Sequence, residues 1–320
     1  MHEFLHAVEV FWDHLAAVRW EALGLALAFQ FLKLVARGLA WRNILQAAYP
    51  ETRVRRPGVF GAYVSGVGVN AIAPARAGDL VKLYLVKRRI SGSTYPTLAP
   101  TLIVETLFDF VVAGAVFAWA VSVGVVPSAE VIKRLPSVDW AWPFRHQTAS
   151  LAIAGALALL VLVLVVRTRR RVRELRAQVG QGFAILHDFH AYLRLVVSWQ
   201  ALSWVFRLAT IYESLRAFRL TPSLHNALVV QTVDSLSTLL PFTPGGAGTK
   251  QGLLAYAFRG RFSVSSVLSF SVGMNIALVA FNVVLGFAAL LLLARTLHWR
   301  RLAEAEEHDV GEDGTGLSRQ

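Results

Sequence analysis

Glu105 and Asp109 stand four residues apart inside a long apolar stretch. On a helix that spacing puts both carboxylates on one face, where they repel each other and call for cations. Arg76, Lys82, Arg207 and Lys250 are the candidate partners, and Asp234 is expected to join the same network. Ionisable groups within apolar spans are costly and default to function. The competing account is a buried ion-pair network that only fixes helix packing.

Arg76 and Lys250 each follow a proline break. The first break reads Asn70-Ala71-Ile72-Ala73-Pro74-Ala75-Arg76-Ala77-Gly78-Asp79. The second reads Ser237-Thr238-Leu239-Leu240-Pro241-Phe242-Thr243-Pro244-Gly245-Gly246-Ala247-Gly248-Thr249-Lys250-Gln251. In each, a small polar residue and three apolar residues precede a proline, then glycine and charge. Proline removes a backbone donor and breaks a helix. Broken backbone at membrane depth must be buried in protein or line a wet cavity, and matching broken segments in two halves of a chain point to a transport site. Freed N–H groups at a half-helix start attract phosphate. Arginine meets phosphate as a fork and lysine as a point charge. A pair of ordinary proline kinks is the plainer alternative, and for Lys250 so is an interfacial headgroup anchor.

Other chemistry finds little support. The Gly245–Lys250 run lacks the spacing and the strand-to-helix setting of a nucleotide loop. His187 and His190 with Asp188 resemble a solvated helix face more than a metal set. There is no cysteine, hence no disulfide and no thiolate site. No catalytic triad or zinc-protease motif is present, and no cofactor is expected.

The elements that must position these residues are apolar helices. Of 320 residues, 55% are hydrophobic and 16% charged, against about 25% charged in soluble domains. Mean hydropathy is +0.51. Stretches near the length needed to span a bilayer run over Trp20–Trp41, Pro57–Ala75, Pro96–Val126, Ala149–Val166, Tyr192–Leu215, Ala227–Leu240 and Val264–Leu293. The net charge of +12 comes from Lys and Arg flanking these runs, which suits anionic headgroups better than nucleic acid.

Four basic clusters are assigned to the cytoplasm by the positive-inside rule: Arg37 to Arg56, Lys82 to Arg89, Arg167 to Arg176, and Arg295 to Arg301. The two broken segments then become re-entrant hairpins of opposite direction, although Lys250, Arg259 and Arg261 run against the rule. Residues 1–18 form an expected amphipathic helix, 19–296 the membrane domain, and 297–320 a polar tail expected to be disordered. The expected location is the cytoplasmic membrane, with the N-terminus outside and the C-terminus cytoplasmic.

These motifs together resemble the flippase-like family, the membrane region of bacterial lysylphosphatidylglycerol synthases and its stand-alone relatives. Asn70 to Asp79 resembles its N…P-x-R-x-G-(D/E) element, Glu105 to Asp109 its E-R-x-x-D element, and Pro241 to Gln251 its P-x-x-P-G-G-x-G-x-x-E element. Thr106 stands in place of Arg and Gln251 in place of Glu, so a proton-coupled role for the last position is not carried over. The resemblance covers about residues 20 to 295 and implies movement of an anionic, phosphate-bearing lipid or lipid-linked molecule between leaflets. It implies no lipid aminoacylation.

The expected fold is all-α: a polytopic membrane bundle whose two broken segments form a pseudo-repeat. The expected substrate site comprises Asn70, Arg76, Asp79, Lys82, Glu105, Asp109, Arg207, Asp234, Pro244, Gly245, Gly246, Gly248, Lys250 and Gln251, with Arg76 and Lys250 holding the headgroup. Two other function classes stay open: an enzyme acting on lipid-linked sugar or phosphate, and a membrane partner subunit that transports nothing.

Overall fold

Every described element is helical. The computed structural model describes residues 18–73, 76–122, 169–239 and 249–313. The expected N-terminal amphipathic helix, the 149–166 span and the Pro241–Gly248 turn lie outside these. Helix α1 covers Trp20–Ala48, α2 Arg56–Ile72, α3 Ala77–Lys87, α4 Tyr95–Ser122 and α5 Arg169–Gly182. After a 3-10 turn, α6 (Phe189–Tyr192) passes through a π-helical turn, Leu193–Val197, into α7 (Ser198–Ala217). Helices α8 (Leu224–Leu239), α9 (Thr249–Ala257) and α10 (Val264–Asp313) follow.

Local chemistry sets the boundaries. Pro57 occupies the first turn of α2, where its missing N–H costs nothing. The Asp188 side chain caps α6 by accepting from the Ala191 N–H at 2.9 Å, as an N-cap residue should. Helix α10 continues to Asp313, into the stretch expected to be disordered. The run Arg300-Arg301-Leu302-Ala303-Glu304-Ala305-Glu306-Glu307 consists of strong helix formers, which carries the helix beyond its apolar part.

Among the described residues, Trp20–Ala48, Tyr95–Ala120 and Val264–Leu293 are long and apolar enough to cross a membrane. The first outruns its expected end at Trp41 by two turns. Helices α2 and α3 fold back on each other as a hairpin, and so do α8 and α9. Helix α1 packs along α7, α2 along α10, and α8 against α4. Exchanging the halves α1–α4 and α7–α10 maps the α2–α10 contact onto the α8–α4 contact. The described helices therefore repeat an order of helix, hairpin and helix in the two halves.

The hairpins open toward opposite ends of the bundle. At the base of the first, the Arg89 side chain lies against Gly58 and donates to the Leu293 carbonyl, so this base sits where the apolar part of α10 ends. The second base, at Ala257, is joined to the start of α10 by a short turn. Each end has its own apolar core, one around Trp41, Leu45 and Leu98 and one around Leu254, Phe258 and Phe270.

Close helix approach depends on absent side chains. A Cβ on Gly68 would stand 2.7 Å from the Gly286 Cα, and one on Gly286 2.6 Å from the Gly68 Cα. In lipid, where tails are as apolar as leucine, such small-residue crossings drive helix association.

Candidate functional site

The break between α2 and α3 is held by its own polar residues. Asn70, near the end of α2, accepts from the Gly78 N–H at 2.7 Å and donates to Asp79 at 3.1 Å. Its side-chain oxygen thus satisfies a donor left free at the α3 start. Arg76 adopts left-handed backbone, with φ 57°. A Cβ on Gly78 would collide with the Gly66 carbonyl oxygen, so only glycine fits the crossing. Asp79 forms ion pairs with Arg76 at 3.0 Å and Lys82 at 3.2 Å.

Glu105 and Asp109 do share a face of α4, and their counter-ion is Arg37. The guanidinium donates to Glu105 at 2.9 Å and to both Asp109 oxygens at 2.7 and 3.1 Å. Tyr63 accepts from Arg37 at 2.8 Å and donates to Glu105 at 3.0 Å. Trp204 donates to Asp109 at 2.8 Å, and the Gln200 amide donates to the Glu105 carbonyl at 3.0 Å. Glu105 is only 3% exposed.

Several expectations are therefore corrected. Arg37 is no member of a cytoplasmic cluster; it lies in the bundle because two carboxylates and a phenol satisfy its donors there. Arg76, Lys82, Arg207 and Lys250 are not the ions paired with Glu105 and Asp109. Lys82 does approach this group, lying 4.3 Å from the centre of the Tyr63 ring. Asp234 likewise does not pair into that network. It joins Arg207 at 3.1 Å and Lys250 at 2.7 Å, tying α7, α8 and α9 together. Lys250 is buried in that pair rather than set out as an interfacial anchor.

Between the two groups lies a cavity of about 330 Å³. Lys33, Arg37, Arg76, Lys82 and Arg207 line it against Asp79, Glu105 and Asp109, so its described lining holds five basic and three acidic side chains. Asn70 lines it as well. Arg76 sits at its edge, 72% exposed, and Lys250 is not among its lining residues. Pro244, Gly245, Gly246 and Gly248 fall outside the described residues; Gln251 follows Lys250 on α9.

Lys33 escaped the sequence reading. It stands four residues before Arg37, on the same face of α1, and is half-buried. Among the described residues it has no hydrogen bond or ion pair. An ionisable side chain so placed in an apolar span is a candidate site residue. The clue available in sequence was Lys33-x-x-x-Arg37 within an apolar span.

A further repeat also escaped notice. Gln30 and Arg37 on α1 have the same seven-residue spacing as Gln200 and Arg207 on α7. Gln30 donates to Asn282 on α10 at 2.9 Å, while Gln200 donates to the α4 backbone. Each bond ties the first helix of one half to the last helix of the other. The offset of 170 residues also relates Pro74 to Pro244 and Gly78 to Gly248, a better register than the Pro74–Pro241 match.

No cluster suited to a metal ion is found among the described residues. The family model for the lysylphosphatidylglycerol synthase TM region matches residues 4–286. No curated protein and no solved structure matches the chain.

Proposed function

The chain belongs to the family of the lysylphosphatidylglycerol synthase TM region, and from that premise we propose that it carries an anionic, phosphate-bearing lipid or lipid-linked molecule between leaflets of the cytoplasmic membrane. The observation that carries this proposal is Lys33: a lysine with no carboxylate partner among the described residues, facing a cavity it shares with four other basic side chains and three acidic ones. The headgroup phosphate would meet Lys33 as a point charge and Arg207 as a fork. Lys82 and Arg76 would guide it along the wall.

The hairpins would be re-entrant, one from each face, with the cavity reached alternately from either side as the halves rock. The N-terminus would be outside and the end of α10 cytoplasmic. The chain acts as a carrier and not as an enzyme in this proposal, since Arg37 already occupies the Glu105–Asp109 pair.

The test is leaflet exchange in proteoliposomes. An anionic lipid labelled on its headgroup is placed in both leaflets and quenched from outside. The proposal expects the protected fraction to fall with purified protein and to stay near half without it. Equal protection in both preparations would refute it for that lipid.

A further inference from the structure

A second cavity lies apart from the central one, between α2 and α10 at the end where α3 finishes. Its volume is about 990 Å³, at the upper end of ordinary ligand pockets of roughly 300–1,000 Å³. Phe60, Val64 and Val86 form one apolar wall, and Leu285 and Leu292 the other. Gly58 and Gly61 let the Arg89 and Leu293 side chains lie close on α2. Leu292 is well exposed, so the groove opens sideways, on the flank of a helix apolar enough to cross a membrane.

Its rim is of opposite character. Arg53 and Arg55 line the mouth, both exposed and, among the described residues, neither in an ion pair. Arg89 lines it too, held over Gly58. This mouth coincides with the end of the apolar part of α10 at Leu293, the depth at which hydrocarbon gives way to headgroups. From Leu285 to Leu292 the wall is about 10 Å long, against a leaflet hydrocarbon depth of about 15 Å. An apolar trough of acyl-chain depth with arginines at its headgroup end matches one chemistry.

We propose that this groove holds an anionic phospholipid drawn from the leaflet on that side, with an acyl chain between α2 and α10 and its phosphate against Arg53 and Arg55. The site is separate from the central cavity, and the proposal does not depend on transport.

Native mass spectrometry of the full chain tests it. The protein is presented with equal amounts of phosphatidylserine and phosphatidylcholine carrying the same acyl chains. At least threefold more retained phosphatidylserine is expected. The double variant Arg53→Gln/Arg55→Gln, and separately Leu292→Trp, which fills the groove from an exposed position, should lower the ratio at least twofold. Gly24→Ala, outside both cavities, should leave it unchanged. Equal retention of both lipids by the unaltered chain would overturn the proposal. So would a preference that is the same in both groove variants as in the unaltered chain. A dimer that dissociates in Leu292→Trp, with no lipid preference, would put a second copy in the groove and overturn it as well. Each variant is compared at matched thermal unfolding, so a folding defect is seen directly. Failure here with leaflet exchange intact would leave the transport proposal standing.

Discussion

Arg37 on α1 and Arg207 on α7 stand at equivalent points of the two halves, and both line the same cavity. Each sits two turns after a glutamine that bonds to the partner half-repeat's closing helix or to its counterpart. Their partners differ. Arg37 is saturated by Glu105, Asp109 and Tyr63, whereas Arg207 has a single bond to Asp234, which Lys250 shares. One arginine therefore serves to hold the bundle, and the other retains donors for a ligand.

Replacing Arg37 by Gln strands two carboxylates in the bundle. Removing one side of a buried pair costs about 3–5 kcal/mol, so thermal unfolding in detergent should fall steeply. Adding Glu105→Gln and Asp109→Asn should recover most of the loss. An additive triple variant would show that these groups do not act together.

The α2–α10 crossing makes an independent prediction about packing. Gly68→Val or Gly286→Val forces apart two backbones in contact, a loss of about 1–3 kcal/mol from overpacking. Gly24 has nothing within 4 Å of a Cβ. Gly24→Ala on α1 should instead be neutral or stabilising by up to about 1 kcal/mol. Equal melting of all three variants would contradict the crossing.

Opposed hairpins predict opposed accessibility. The chain has no cysteine, so Arg53→Cys and Ser263→Cys give single labels at the two ends of the bundle. An impermeant maleimide should reach them from opposite faces of sealed vesicles. Labelling of both from one face would sink the arrangement.

The acid pair and the broken segments were legible in sequence because proline, glycine and carboxylates are conspicuous against apolar neighbours. The helical class and the family followed from the same features. Arg37 and Lys33 were not legible as site residues. A basic residue near the end of an apolar run has the same appearance whether it snorkels to the interface or turns inward, and only tertiary contacts decide. The i,i+4 spacing of Lys33 and Arg37 and the Gln-to-Arg interval shared with α7 were the available signals. Asp234 does meet two of the cations expected for its network, Arg207 and Lys250; its separation from Glu105 and Asp109 was not legible, because only the tertiary fold shows α8 turning it toward α9.

The most direct measurement compares leaflet exchange of an anionic and a zwitterionic lipid in proteoliposomes of the wild type and Lys33→Gln. Lys33 holds no packing bond among the described residues, so the variant should fold and melt like the wild type. The expected result is exchange that favours the anionic lipid in the wild type and loses at least about tenfold in rate, roughly 1.4 kcal/mol, in Lys33→Gln. Unchanged exchange in Lys33→Gln, or a wild type no faster than empty vesicles, would contradict the central role of the cavity.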